Sequence, residues 1–199
     1  MRPGKVVTTI AGLALLTLGA CGKSEEAVKP MAEKAEQAAR EVQIERRLAV
    51  DALRDEARDL RARPDPQNRT LVRALNHTAE ALRTLAGDDA NVRARIDNID
   101  TYAGNIERTQ VLSKDISGWA RSALIESALT LSSIAQARGR DDLTPWVRAV
   151  QARAEAVNPD LPLKDQGDML GAAFEDLADS ITFLSKEPKS EQVGQTSRR

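Results

Sequence analysis

Chemistry needs reactive side chains, and this chain has few: one histidine, His77, and one cysteine, Cys21, in 199 residues. A Cys/His nucleophilic pair, an intrachain disulfide or a zinc site each needs more of these residues than the chain holds. His77 follows Leu75 by two positions and has Glu80 three residues on, so it reads as a solvated or half-buried surface imidazole. A Ser-His-Asp relay requires an imidazole held between a hydroxyl and a carboxylate, and nothing around His77 supplies that setting. A di-iron bundle needs Glu-x-x-His on facing helices, and no Glu here is followed by His three residues later. Two axial haem histidines are excluded in the same way, and there is no Gly-rich phosphate loop. Carboxylate pairs remain (Asp88-Asp89, Asp141-Asp142, Asp176 with Asp179), the groups that cleave glycosides in other proteins. The first two fall between predicted helices, where acids cap N-termini and meet the positive helix end. Arg138, Arg140, Arg148 and Arg153 gather near a predicted helix start and could form a phosphate or anionic-lipid patch. Asp141, Asp142 and Glu155 among them make a balanced solvated face the plainer reading. Lys plus Arg is 29 against 30 for Asp plus Glu, so no basic excess points to nucleic acid. The expectation is a protein that is not an enzyme and needs no cofactor or metal.

The elements that would position these groups are helical. Aromatic residues are 3% of the chain, too few for strands built on aromatic and β-branched side chains, whereas Ala, Leu and Arg abound. Met31, Ala35, Ala38, Val42, Ala49, Leu53, Ala57 and Leu60 recur at helical spacing and predict a first helix over 31–63, ended by Pro64-Asp65-Pro66. Glu36–Arg40, Asp51–Arg54 and Asp55–Arg58 are opposite charges on its other faces. Its thin, Ala-rich stripe suits close packing or a coiled-coil pair. A second helix over 69–86 carries Leu71, Leu75, Ala79, Leu82 and Leu85, with Asn68 as its cap and Gly87 as its stop. The third starts near Asn91 with Val92, Ile96, Ile99, Ala103 and Ile106. The fourth covers roughly 115–137, with Ile116, Trp119, Ala123, Leu124, Leu131 and Ile134 inward and Gly139 after it. Gly104 and Gly118 leave open whether these two are one long helix. Thr144-Pro145 reads as N-cap and first turn of a fifth helix carrying Trp146, Val147, Val150, Ala154 and Val157. Residues 158–164 read as a linker, and Asp165 as the cap of a last helix bearing Leu170, Ala173, Phe174, Leu177, Ile181 and Leu184. No segment alternates with period two. The fold class expected is all-α, a helical bundle of about five to six helices.

The N-terminus says where such a bundle would work. Arg2 and Lys5 form a short cationic region, Val6 to Ala20 is uncharged and mostly apolar, and small residues lead into Cys21. Such a run is a secretory signal, too short for a comfortable membrane span. Leu18-Gly19-Ala20-Cys21 resembles the lipobox of bacterial lipoproteins: an apolar residue, two small residues, then Cys. The resemblance implies cleavage after Ala20, with Leu18, Gly19 and Ala20 read by the signal peptidase. It also implies a diacylglyceryl group on the Cys21 thiol and acylation of the new amino terminus. Gly22 stands where an Asp would resemble an inner-membrane retention signal in Gram-negative lipoproteins, so the expected location is the outer membrane, facing the periplasm. Cleavage would remove Arg2 and Lys5 and leave 27 basic against 30 acidic side chains.

The organisation expected is therefore a signal peptide over 1–20, a lipidated tether over 21–30, a bundle over 31–185 and a disordered polar tail over 186–199. The function expected is a helical protein-interaction module, held to the membrane through acyl chains on Cys21 and meeting an envelope protein. A sharper alternative is an immunity lipoprotein that neutralises a secreted antibacterial effector. Trp119 and Trp146 are either core fillers, the commoner use, or interface anchors.

Overall fold

The computed structural model describes residues 25–62, 68–109 and 115–186, with side chains from Met31 onward. Those residues form six α-helices: α1 (Glu25–Ala62), α2 (Asn68–Ala86), α3 (Ala90–Arg108), α4 (Asp115–Ala137), α5 (Thr144–Ala156) and α6 (Gly167–Leu184). Two short 3₁₀ turns, Asp141–Leu143 and Leu163–Gln166, lead into α5 and α6. No strand occurs among the described residues, and none of their helices is long and apolar enough to cross a membrane. The all-α class is as the periodicity predicts. The residues read above as a signal peptide, including Leu18, Gly19, Ala20 and Cys21, lie outside the described residues, as does the tail beyond Lys186.

The chain divides into two compact units, one ending at Val42 and the other beginning at Gln43. In the first, residues 25–42 are one helical run. Residues 25–30, expected as a tether, are helical. Met31 is 70% exposed and Val42 39%, while Ala35 and Ala38 are half-exposed, so the predicted stripe is apolar here without being buried. Glu36 and Arg40 pair as predicted.

In the second unit the same stripe is core: Ala49, Leu53, Ala57 and Leu60 are buried. The inward residues predicted for α2, α3 and α6 are all buried, as are Ile116, Ala123, Leu124, Leu131 and Ile134 of α4. Each helix packs on the next from α2 to α6, and α2, α4 and α6 also touch one another. The other helices bridge these three: α3 lies against α2 and α4, and α5 against α4 and α6. The second half of α1 lies against α2 and α6. Glu56 takes a two-pronged bond from Arg73 of α2, while Arg54 and Arg61 reach Asp179 and Glu175 of α6. This arrangement explains why α4 can carry only three charged residues in 23: it is covered on several sides.

Helix ends follow local chemistry. Asp89 caps α3, accepting from the N–H groups of Asn91 and Val92. Gly87 and Gly139 have φ of +58° and +62°, the left-handed conformation that favours glycine. At Gly139 the backbone closes a Schellman motif, with Arg140 N–H donating to Ala135 O and Gly139 N–H to Gln136 O. Three predicted caps are displaced. Asn68 is the first residue of α2, and its Oδ1 is buried with no hydrogen bond among the described residues. Thr144 is already helical (φ −50°, ψ −43°), because the preceding 3₁₀ turn runs straight into α5. Asp165 lies inside the second 3₁₀ turn, and neither turn's exit has a side-chain cap.

Candidate functional site

Arginines organise one end of the second unit. Arg46 of α1 donates from Nε to Thr84 Oγ1 (2.8 Å) and from Nη2 to Thr84 O (3.2 Å). Arg138, just past α4, donates to Leu85 O at 2.9 Å. Arg140 donates to Lys186 O at 2.6 Å and more weakly to Phe183 O. These bonds place the final carbonyls of α2 and α6 and the end of α4 together. A helix leaves its last carbonyls without backbone donors, and arginine supplies them. Burial and the charge of Arg138 hold Arg46 below the ordinary arginine range, and partial burial with the charge of Arg140 does the same for Arg138. Arg140 differs: its side chain is 5% exposed, and a two-pronged hydrogen bond to Asp142 holds it above the ordinary range.

Aromatic residues sit at the same end. Arg140 lies over the Phe183 ring at 5.2 Å, and Phe183 stacks on Trp146 at 5.8 Å with 20° between the planes. Trp146 is 38% exposed, so the core reading does not hold for it. It lies on the flank of α5 that faces the end of α6. Trp119 is half-buried and packs against the core. Trp146 is thus an exposed aromatic stacked on Phe183, and Phe183 carries the Arg140 guanidinium over its ring.

No family model matches the chain, and no curated protein or solved structure does. The reading of the site rests on its own geometry.

Arg138, Arg140, Arg148 and Arg153 do not converge into the phosphate or lipid patch they could have formed; the plainer reading is a balanced, solvated face. Arg138 and Arg140 are turned to backbone and Asp142, and Arg153 is paired with Asp176, while Arg148 is exposed on the rim of a cleft of about 230 Å³ between α4 and α5. Asp179 is bound by Arg54 at 2.9 Å, so the Asp176/Asp179 pair is spent on helix packing. His77 is half-buried with Nδ1 3.6 Å from Glu80, as its spacing suggests. Among the described residues no group of three or more His, Cys, Asp or Glu side chains is placed to hold a metal.

The structure brings together instead a cationic groove that the sequence reading missed. Between α1 and the end of α6 lies a cleft of about 320 Å³, lined by Arg46, Arg47 and Arg54 against one carboxylate, Asp51, with Gln43, Val50, Thr182 and Ser185. One signal was available: Arg46 has Gln43, Ala49, Val42 and Val50 at its helical neighbour positions and no acid to pair with.

Proposed function

We propose that the chain is a lipid-anchored protein of the bacterial envelope that acts by binding a protein partner rather than by transforming a substrate. The observation that carries this reading is the run Leu18-Gly19-Ala20-Cys21, placing the chain's one cysteine directly after a cationic start and an apolar stretch. Acyl chains on Cys21 would supply the membrane hold, each buried methylene contributing about 0.8 kcal/mol. Gly22 in place of Asp supports the outer membrane as destination. The stacked Trp146–Phe183 pair supports docking at the arginine-capped end.

Mass spectrometry of the N-terminal peptide from purified protein tests the anchor: it should begin at Cys21 and carry acyl chains. Cys21→Ser should leave an uncleaved precursor or release the protein from membranes. An unmodified thiol, or unchanged processing of the variant, overturns the reading. Co-purification from native membranes should recover a partner that Trp146→Ala loses. Measurable turnover by the purified protein would end the non-catalytic part of the proposal.

A further inference from the structure

The α1–α6 groove holds more donors than its own residues satisfy. Arg46 commits Nε and Nη2 to Thr84, and its Nη1 has no partner among the described residues. Arg47 is 85% exposed, and its nearest carboxylate oxygen, on Asp51, is 3.8 Å from Nε. Arg54 binds Asp179 and Thr182 through Nη2, while its Nη1 stands 3.5 Å from Asp51. Asp51 thus balances charge from beyond good hydrogen-bond distance, without filling the guanidinium edges. Arg46 has no carboxylate of its own, and Arg138 next to it adds a second positive charge. The floor is Val50, 4% exposed, with the arginine stems around it.

We propose that this groove binds a carboxylate carried on a short apolar stem. The carboxylate takes the guanidinium edges that Asp51 leaves open, and the stem lies among the arginine methylenes above Val50. A guanidinium fork matches the two oxygens of a carboxylate. A volume of about 320 Å³ is at the small end of ligand pockets, suited to a small organic acid or to the last residues of a peptide. The inference stands whether or not Cys21 carries lipid.

The test is a titration of the purified full-length protein at constant ionic strength, following the methyl NMR signals of Val50 and Thr182. The probes are butyrate and N-acetyl-Ala-Ala, with butyramide and N-acetyl-Ala-Ala amide as neutral controls. Both acids should give saturable shifts and neither amide should. Equal affinity of the two acids identifies a free acid as the ligand class, and tenfold tighter binding of the dipeptide identifies a peptide terminus. Arg46→Gln should weaken binding about tenfold, which corresponds to about 1.4 kcal/mol. Arg47→Gln and Asp51→Asn change exposed side chains and do not threaten the fold. The first should weaken binding severalfold, and the second should tighten it severalfold by removing the competing carboxylate. Arg148→Gln, outside the groove, should change nothing. Shifts from the amides, tighter binding of inorganic phosphate than of butyrate, equal losses in Arg46→Gln and Arg148→Gln, or weaker binding in Asp51→Asn would each overturn the proposal.

Discussion

Gln166 is 3% exposed and spends its whole amide on the segment that joins α5 to α6. Its Oε1 accepts from Asn158 N–H at 2.7 Å, and its Nε2 donates toward Asn158 O, Leu161 O and Ser117 Oγ. Ser117 in turn donates to Leu161 O, which ties this segment to α4. A buried polar group left without its partner costs about 1–3 kcal/mol. Gln166→Ala should therefore lower unfolding free energy by about 2–3 kcal/mol in urea denaturation. Gln166→Glu should cost more at neutral pH, because it turns a donor into a charged acceptor facing carbonyls. Asp142 is the residue with a pH signature. Arg140 hydrogen-bonds its carboxylate and holds it below the ordinary carboxylate range in the folded state. Its stabilising effect is therefore complete above the unfolded value of about 3.9 and fades as pH falls through the lower folded value. Melting temperatures of wild type and Asp142→Asn should differ at neutral pH and converge in strong acid. A constant gap would show that the Arg140 contact does not depend on the charge of Asp142. The role of Gln166 is not legible in sequence: it reads as one polar residue in the first turn of the last helix, and its partners are fixed only when α4 and the linker meet.

At the scale of elements, α1 and α6 come close together at Gly171. A Cβ on Gly171 would lie 2.6 Å from Ala57 O and closer still to Arg61 Cγ, nearer than atoms tolerate. The Arg61 stem can swing away, but the Ala57 carbonyl belongs to a helix backbone, so the helices themselves would have to part. Gly171→Ala, which raises helix propensity, should nonetheless destabilise the protein by about 1–3 kcal/mol. Stabilisation in a denaturant titration would show that α1 and α6 can separate without cost. Periodicity reads element existence well here because the apolar stripes are clean: Val92, Ile96, Ile99, Ala103 and Ile106 are the predicted and the buried set of α3 alike. It reads starts poorly. Thr144 and Asp165 have capping side chains, yet 3₁₀ turns arrive before them and carry the backbone into helix already. A local cap signal cannot register how the preceding residues enter.

At the scale of the molecule, the unit from Gln43 onward holds every residue of the buried core. The described stripe before it is half-exposed or exposed, so it adds little burial to folding. A chain beginning at Gln43 should thus unfold within about 0.5 kcal/mol of one beginning at Gly22, as read by urea denaturation. A larger loss would mean that residues before Gln43 cover part of the core. The sequence by itself determined the class of fold, the helices and most of their buried faces, because a 3.6-residue repeat of apolar side chains is a local property of the chain. It also determined the lipobox resemblance, which is a matter of adjacent residues. Only the tertiary structure decided which arginines cap carbonyls and which line the α1–α6 groove. It alone decided that Trp146 stays exposed while Trp119 packs. Those outcomes depend on residues far apart in sequence: Arg46 meets Thr84, Arg54 meets Asp179, and Trp146 meets Phe183. Pairing across helices is set by how whole faces pack, and no window along the chain contains both partners.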